Sequence, residues 1–407
     1  MRALVINSGS SSVKFEVFQA GSGLRSLLEG EVERIGTPDA GMWIQSRADG
    51  AATRETRAVA AADHRAALAA ALDAVGTTGV PLTGDTIAVV GHRVVHGGRH
   101  YSGPVLIDDE VVERIGTVAL LAPLHTRANL AGIEAARACL PDAAHVAVFD
   151  TAFHRTMAPH AYEYALPRAM AEEHGIRRYG FHGISHAYVA GRAATLLGAP
   201  LEELDLITLH LGAGASAAAI HAGKSVDTSM GMTPLEGLVM GTRCGDLDPA
   251  IPMLLGVITG RTREDVHRLL NHESGLVGLC GTSDMREVHD LAEAGDDNAQ
   301  DALALYCYRV KKYIGAYVAA LGRVDALVFT AGVGENDAQV RERICEGLGC
   351  LGITIDVKRN RTSTGGERFV SPEGASVAVL VVPTNEEREI ARLALACVGA
   401  LDPGCEE

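Results

Sequence analysis

The chain has 407 residues, of which 47% are hydrophobic and 21% charged, with a formal net charge of −15. That length supports two or three packed domains. The acidic surplus disfavours nucleic acid or an anionic membrane as the main partner, because the average field repels both. Aromatic residues are only 4%, so the core must rest on Ala, Val, Leu and Ile. No apolar run approaches the roughly 20 residues that a membrane-spanning helix needs. No leader segment is visible, since Met1 and Arg2 run straight into a short apolar strand. The eight cysteines form no C-x-x-C pair, which disfavours zinc and reads as reduced thiols in a cytoplasmic protein.

In chain order, residues 3–7 and the alternating Val13, Phe15 and Val17 predict a hairpin whose loop runs from Asn7 to Ser12. The loop is small and rich in hydroxyls. Ser10 and Ser12 can donate to phosphate oxygens, Lys14 adds a positive charge, and Asn7 can reach a hydrated Mg²⁺. The plain alternative is a Ser/Gly turn with a solvated lysine. Residues 36–58 and 358–375 are polar and rich in Gly and Thr, and read as surface excursions. Residues 60–75 are helical. A strand at 87–90 feeds Gly91-His92-Arg93-Val94-Val95-His96-Gly97-Gly98. Arg93 suits a carboxylate or phosphate because its planar fork donates two parallel hydrogen bonds, although a surface ion pair would also explain it. Val95 could wall a small pocket.

Helices are predicted at 109–120 and 127–139. The strand at 145–149 ends in Asp150, where ligand-facing residues sit in open α/β sheets, and where a turn-capping carboxylate would also sit. His182 lies between two glycines just before a helix at 184–197. Residues 204–211 and 216–221 form a second hairpin around Gly212-Ala213-Gly214. Arg243 occupies a tight turn before a helix near Pro249, where it could neutralise a transferring phosphoryl group or bond its own loop. Further helices are predicted at 248–258, 263–271, 284–294 and 298–321, with Ser283 or Asp284 as a cap. A strand at 325–330 runs into Gly332-Val333-Gly334-Glu335-Asn336, where glycines and free N–H groups at a helix start can hold an anion. A helix at 337–348, a strand at 376–382 and a helix at 385–398 follow. Glu386 is either a cap or a Mg²⁺ ligand.

Each of the three strand-to-glycine turns is common alone, but together they point to a phosphate-handling enzyme. Gly223-Lys224-Ser225 only mimics a P-loop tail, because Ala218 stands where that motif needs glycine. A dinucleotide-binding Rossmann unit is disfavoured, since a second strand, not a helix, follows the first loop. The two hairpins, the second starting near residue 205, suggest a duplicated α/β unit.

Seven segments carry a resemblance to a known family: Asn-Ser-Gly-Ser-Ser-Ser-x-Lys-Phe, His-Arg-Val-Val-His-Gly-Gly, Phe-Asp-Thr-Ala-Phe-His, Arg-Tyr-Gly-Phe-His-Gly-x-Ser-His, Gly-Thr-Arg-Cys-Gly-Asp-x-Asp-Pro, Phe-Thr-Ala-Gly-Val-Gly-Glu-Asn and Pro-Thr-Asn-Glu-Glu. Over nearly its whole length the chain resembles the acetokinase family of the actin-like, sugar-kinase-like fold. The resemblance implies a duplicated actin-like (ribonuclease-H-like) α/β architecture with a cleft between two domains. Residues 1–152 with 386–407 would form the first and 153–385 the second. It implies Mg²⁺-dependent, with Mn²⁺ as the alternate ion, reversible conversion of ATP and acetate to ADP and acetyl phosphate, in a cytoplasmic homodimer. A propionate or butyrate kinase of the same family, and a non-catalytic nucleotide-binding actin-like protein, are the rival readings.

By motif, Arg93 matches the carboxylate binder, Arg243 the stabiliser of the transferring group, and His182 a second donor in the transition state. Asn7 and Glu386 match Mg²⁺-linked positions, and Lys14 a nucleotide-phosphate contact. His210, Leu211, Gly212, Ala213 and Gly214, then Asp284, Met285 and Arg286, then Gly332 to Asn336, match ATP-binding stretches. Val95, Leu124, Phe181 and Pro234 match the pocket for the acetate methyl, and His125 a further active-site histidine. The family loop usually reads His-Leu-Gly-Asn-Gly, so Ala213 removes a side-chain amide near the phosphates. Asp150 is often assigned as a base, but acetate is ionised at neutral pH. The expectation is therefore that Asp150 positions Mg²⁺ or its waters, while Arg93 and Arg243 serve one cleft.

Overall fold

The computed structural model describes residues 1–9, 11–21, 23–47, 53–78, 86–119, 123–362 and 365–400, and not the side chains of Pro123 and Leu124. They divide into two units, one of Met1–Phe153 together with the chain from Asn385 onward, the other of His154–Thr384.

In the first unit, β1 (Arg2–Ser8) and β2 (Ser12–Ala20) form the expected hairpin, with Asn7 opposite Lys14. β3 (Leu24–Glu33) continues it. Its run Leu28-Glu29-Gly30-Glu31-Val32-Glu33 alternates core and solvent, the period of a half-buried strand. Gly30 is required there, because a Cβ would stand 2.4 Å from the Phe15 ring. β4 (Gly41–Ser46) and β5 (Thr53–Ala58) extend the sheet antiparallel. Part of the supposed surface excursion at 36–58 is thus sheet, and Met42 and Ile44 enter the core. In the other supposed excursion, at 358–375, lie the end of helix Val357–Arg361 and a two-residue strand.

β6 (Ile87–Val94) runs parallel to β1, and β8 (Ala144–Phe149) parallel to β6, with the short β7 (Val105–Leu106) at the edge. Helices His64–Thr77 and Pro123–Cys139 cover the face built on Leu4, Ile6 and Val90. Helix Glu386–Cys397 covers the opposite face and lies so close to β6 that a Cβ on Gly91 would be 2.8 Å from Ile390. The strand order is β5-β4-β3-β2-β1-β6-β8-β7.

The second unit repeats the plan. β9 (Asp205–Leu211), β10 (Ala215–His221) and β11 (Lys224–Thr228) form an antiparallel meander. β12 (Ala326–Thr330) and β14 (Ala378–Val381) add in parallel, and β13 (Arg368–Phe369) closes the edge. In the order β11-β10-β9-β12-β14-β13, the first five strands repeat the arrangement of β3-β2-β1-β6-β8 in the first sheet, the duplication expected from the two hairpins. Gly223 sits in the turn from β10 into β11, and Lys224 and Ser225 already pair in β11, so the segment is not a phosphate loop.

Histidines bolt this unit together. His186, on helix Gly183–Leu197, places Nδ1 2.7 Å from Thr208 Oγ1 and Nε2 3.0 Å from Ser216 Oγ. His154 places Nδ1 2.8 Å from Ser225 Oγ and Nε2 3.0 Å from the Phe181 carbonyl. Burial holds His186 well below the usual imidazole range. Burial likewise brings His154 down to about 4, with Arg178 adding to it and the Phe181 carbonyl opposing it. Both rings are therefore neutral at pH 7. The unfolded chain takes up these protons near pH 6.5 while the folded chain does not, so stability falls as pH drops through 6.5 toward 4. Each such histidine contributes about 1.4 kcal/mol per pH unit in that window. Denaturant unfolding from pH 7 to 5 should show wild type losing that much more per unit than His154→Gln. Parallel pH dependences would contradict it.

Candidate active site

The first unit gathers charged groups at the C-terminal ends of its parallel strands, where open α/β sheets bind ligands. Asn7 lies near the end of β1, Arg93 near the end of β6, and Asp150 directly after β8. Register brings them together. Arg93 forks onto Asp150, Nε to Oδ1 at 3.2 Å and Nη2 to Oδ2 at 2.6 Å, and donates from Nη1 to Asn7 Oδ1 at 3.3 Å. Glu386 adds a carboxylate oxygen 3.5 Å from Nε. It starts a helix whose cap, Asn385, accepts from the Arg388 N–H at 2.8 Å. Asn7 also donates to Glu387 at 3.4 Å.

Burial opposes the charge on Arg93, but Asp150 and Glu386 outweigh it and hold the guanidinium above its ordinary range. Burial pushes the Asp150 carboxyl up to about 6 against the pull of Arg93, with Glu386 adding to the rise. The named bonds engage three of the five guanidinium N–H groups. One N–H on each terminal nitrogen can therefore still receive a substrate carboxylate. The oxygen donors of Asn7, Asp150 and Glu386 are those a hard divalent cation such as Mg²⁺ prefers.

Val95, the pocket candidate, is buried, and its N–H donates to Asn129 Oδ1 at 3.1 Å. Asn129 Nδ2 also holds the Ser8 carbonyl at 3.0 Å. This asparagine ties the ends of β1 and β6 together, and sequence reasoning missed it because a lone polar residue on a helix carries no pattern. Gly97 donates to Thr151 Oγ1 at 3.0 Å, fixing the segment after Arg93. Lys14 is exposed opposite Asn7, and the Ser12 carbonyl accepts from the Gly9 N–H at 2.8 Å. Ser10 lies outside the described residues, as does the side chain of Leu124. His125 is half-buried in the first turn of helix Pro123–Cys139.

The second unit builds its cluster around the loop between β9 and β10. The loop is closed by Gly212 N–H to the Gly214 carbonyl at 2.9 Å, and Gly241 N–H holds the Ala213 carbonyl at 3.1 Å. A Cβ on Gly214 would stand 3.4 Å from His182 Nε2 and 3.6 Å from Arg243 Nη1; one on Gly212 would be 3.9 Å from His210 Nε2. Three candidate side chains therefore edge the glycine loop. His182, in the left-handed region at φ 57°, caps helix Gly183–Leu197 and stacks on His210 with centroids 4.2 Å apart. Leu211 and Phe181 are core residues.

Arg243 rides on a loop held by helix Gly275–Cys280. Leu276 donates to the Met240 carbonyl at 3.0 Å, Val277 to Gly241 at 2.9 Å, and Ser274 to Thr242 at 3.1 Å. Gly275, at φ 63°, is indispensable to that contact, since a Cβ would be 2.2 Å from the Met240 carbonyl oxygen. Arg243 Nη1 donates to the Pro234 carbonyl at 3.2 Å, so these two candidates do meet. Among the described residues no carboxylate forms an ion pair with Arg243, and burial alone lowers its proton affinity. A half-buried cation with only neutral acceptors is stabilised by an incoming anion.

The turn after β12 departs from expectation. Its first free N–H, on Ala331, is taken by Glu335 Oε1 at 2.8 Å, and the same oxygen accepts from Thr384 N–H at 3.1 Å. The helix start that was to attract phosphate already has a carboxylate on it, the charge its dipole favours. Asn336 turns its amide back to the Gly332 carbonyl at 2.9 Å, while Gly332 is exposed, Val333 half-buried and Gly334 buried. Asp284 caps helix Met285–Glu293 through Arg286 N–H at 2.9 Å, and the exposed Arg286 side chain forks back onto it. Met285 is buried.

Residues 2–392 match the model of the Acetokinase family. The chain belongs to that family. This acetokinase chain is 53% identical over 397 residues to an acetate kinase of Leifsonia xyli subsp. xyli, covering 98% of itself and 99% of the relative. A crystal structure of Porphyromonas gingivalis acetate kinase superposes with a TM-score of 0.89 at 42% identity, covering 98% of this chain and 99% of the other. A propionate kinase from Francisella tularensis subsp. tularensis SCHU S4 gives 0.90 at 38% identity, over 97% and 99% of the two chains. The duplicated actin-like α/β architecture expected from the sequence is the one this acetokinase adopts.

Proposed function

We propose that this chain is a phosphotransferase acting on a carboxyl group, moving the γ-phosphoryl group of ATP reversibly to acetate. The observation that carries this is Arg243, a cation without a carboxylate partner among the described residues, set with His182 against a glycine loop. An acetate oxygen forms the new P–O bond while the bond to the β,γ-bridging oxygen breaks, and ADP leaves with that electron pair. Acetate arrives ionised, so no proton has to be removed from it. Arg93 would bind the carboxylate through its two remaining N–H groups, with Asp150 holding its orientation. Arg243 and His182 would donate to the equatorial oxygens, which carry the charge of an in-line transfer. Lys14 and backbone N–H groups of the Gly212–Gly214 loop would serve the nucleotide phosphates, and Ala213 contributes no amide there. Mg²⁺, held by Asn7, Glu386 and Asp150, would supply charge neutralisation on the phosphates. Positioning and electrostatics would supply most of the rate.

A hydroxamate assay for acetyl phosphate, with ATP, acetate and Mg²⁺, tests the reading directly. No product from folded protein would refute it. If Val95 walls the methyl pocket, Val95→Ala should improve kcat/KM for propionate relative to acetate by roughly tenfold, since one methylene is worth about 1–3 kcal/mol. An unchanged ratio removes Val95 from the pocket. The same chain-length series separates acetate from propionate preference in the wild type. A pure nucleotide binder would have no use for the carboxylate clamp around Arg93.

We also propose a homodimer working in the cytoplasm. Helix Ala250–Thr259 leaves Met253 70%, Leu254 54%, Val257 81% and Ile258 73% exposed, an apolar face that a second copy would cover. The described cysteines are free thiols.

A further inference from the structure

We propose that Arg341, Arg361 and Arg368 form a second anion site in the His154–Thr384 unit, one that takes a phosphate-sized oxyanion. Arg341 lies on helix Ala338–Cys345, Arg361 ends helix Val357–Arg361 and Arg368 opens β13. The three guanidinium groups line one cavity of about 90 Å³, and Glu335 and Asn336 at the end of the turn after β12 add to its wall. Among the described residues that line it are none of Gly212–Gly214, nor His182, nor Arg243. One water needs roughly 10–15 Å³ of such space, so a tetrahedral oxyanion fits.

The cations at this cavity outnumber the anions that pair with them. Arg341 is 1% exposed, yet all its acceptors are neutral. Its Nε donates to Asn360 Oδ1 at 2.7 Å, Nη1 to the carbonyls of Gly334 at 2.8 Å and Glu335 at 3.0 Å, and Nη2 to the Asn360 carbonyl at 3.0 Å. Arg368 donates from Nη2 to the same Glu335 carbonyl at 3.2 Å and from Nη1 to the Gly366 carbonyl at 3.1 Å, while its Nε is buried with no acceptor. Among the described residues the one ion pair made by these three arginines is that of Arg361 with Glu342, Nη2 to Oε2 at 2.7 Å. The Glu335 carboxylate is engaged by the N–H groups of Ala331 and Thr384. Burial, with the neighbouring charge of Arg368, brings Arg341 down to about 10. Burial also lowers Arg368, against the pull of Glu335. Two buried like charges with neutral acceptors are stabilised by an anion placed between them. The named bonds leave Arg368 Nε, one N–H on each of its terminal nitrogens, one on Arg341 Nη2 and both on Arg361 Nη1. Several guanidinium forks facing one cavity suit an ion with acceptor oxygens on every side, which phosphate has and chloride lacks.

Calorimetric titration of the full chain with inorganic phosphate, and separately with glycerol 3-phosphate, at constant ionic strength in chloride, tests the site. Wild type should bind, and Arg368→Gln should bind roughly tenfold more weakly, the loss expected for charge-assisted hydrogen bonds. Arg361→Gln, a change at an exposed side chain, should weaken binding as well, because it also leaves Glu342 unpaired beside the cavity. Phosphate is a fragment of ATP, so Arg243→Ala serves as the control, and it should keep one phosphate per chain at the wild-type affinity. Binding of the free ion alone, or of the monoester too, both lost in Arg368→Gln, supports the site and tells a free anion from a phosphorylated metabolite. No binding of either compound, binding that survives both Arg368→Gln and Arg361→Gln, or binding that disappears in Arg243→Ala overturns the proposal. The titration needs no turnover, so failure of the kinase reading would appear separately, as absence of acetyl phosphate from the wild type.

Discussion

Arg243→Ala should lower kcat/KM by roughly a thousandfold while leaving the fold intact, in line with about 10³–10⁵ for an arginine that stabilises a transferring phosphoryl group. The direction of both effects comes from the same geometry. The guanidinium is held against Gly214 by the Pro234 carbonyl and by the loop packed on Gly275, yet it meets no carboxylate among the described residues. Removing it leaves no buried anion behind, so unfolding by denaturant should be unchanged or slightly harder. The activity loss should fall on kcat, because the charge it meets is greatest in the transition state. A loss under tenfold, or one confined to KM, would mean that the cation only orders its own loop.

Asp150→Ala should act in the opposite way, with a stability loss of about 3 kcal/mol, since removing one partner of a buried pair leaves an uncompensated charge. The Asp150 side chain is 2% exposed and that of Arg93 19%, so water cannot replace the lost oxygens fully. Glu386, at 3.5 Å, limits the damage. Asp150→Asn keeps one acceptor and separates the roles. If Asp150 orients Arg93, the amide raises the acetate KM and leaves kcat near the wild-type value. If Asp150 were a proton acceptor in the transfer, the amide would lower kcat itself at every pH. Urea denaturation and pH-dependent kinetics on the two variants give both answers.

Much of this was readable from the chain. The two hairpins showed because each pairs alternating or apolar strands across a glycine-bearing loop. Arg93 and Asp150 were visible as strand-end residues, and Asn7 as the first residue of the hairpin loop, although β1 runs on through it. That Arg93 is bound to the other two was not, because pairing between them depends on strand order, and a period of two residues says nothing about which strands lie side by side. β5 was misread for a local reason: it is exposed along its whole length, so no hydrophobic alternation marks it, and in β4 only Met42 and Ile44 alternate inward. β3 did carry a signal, the alternation of Glu29, Glu31 and Glu33 with Leu28, Gly30 and Val32. The glycine turn after β12 looked like an open anion site because glycines mark where a backbone can approach a ligand, and the pattern gave no hint that the Ala331 N–H is taken by Glu335, four residues on. Asn129 left no trace, since a single polar residue becomes a partner only after distant segments have packed.

The route of the chain through the fold has a consequence for biosynthesis. The second unit is one uninterrupted stretch, His154–Thr384, but the first is left without helix Glu386–Cys397 until nearly all the rest has been translated. A nascent chain that has just released residue 153 exposes the apolar face around Gly91 that Ile390 later covers. Domains made early tend to fold as units, yet here the C-terminal unit can mature first, and the N-terminal one must wait with an open flank. A ribosome stalled shortly before residue 386 would hold a complete second unit and a first unit with a sticky, uncovered flank, which makes that flank the natural target for a chaperone.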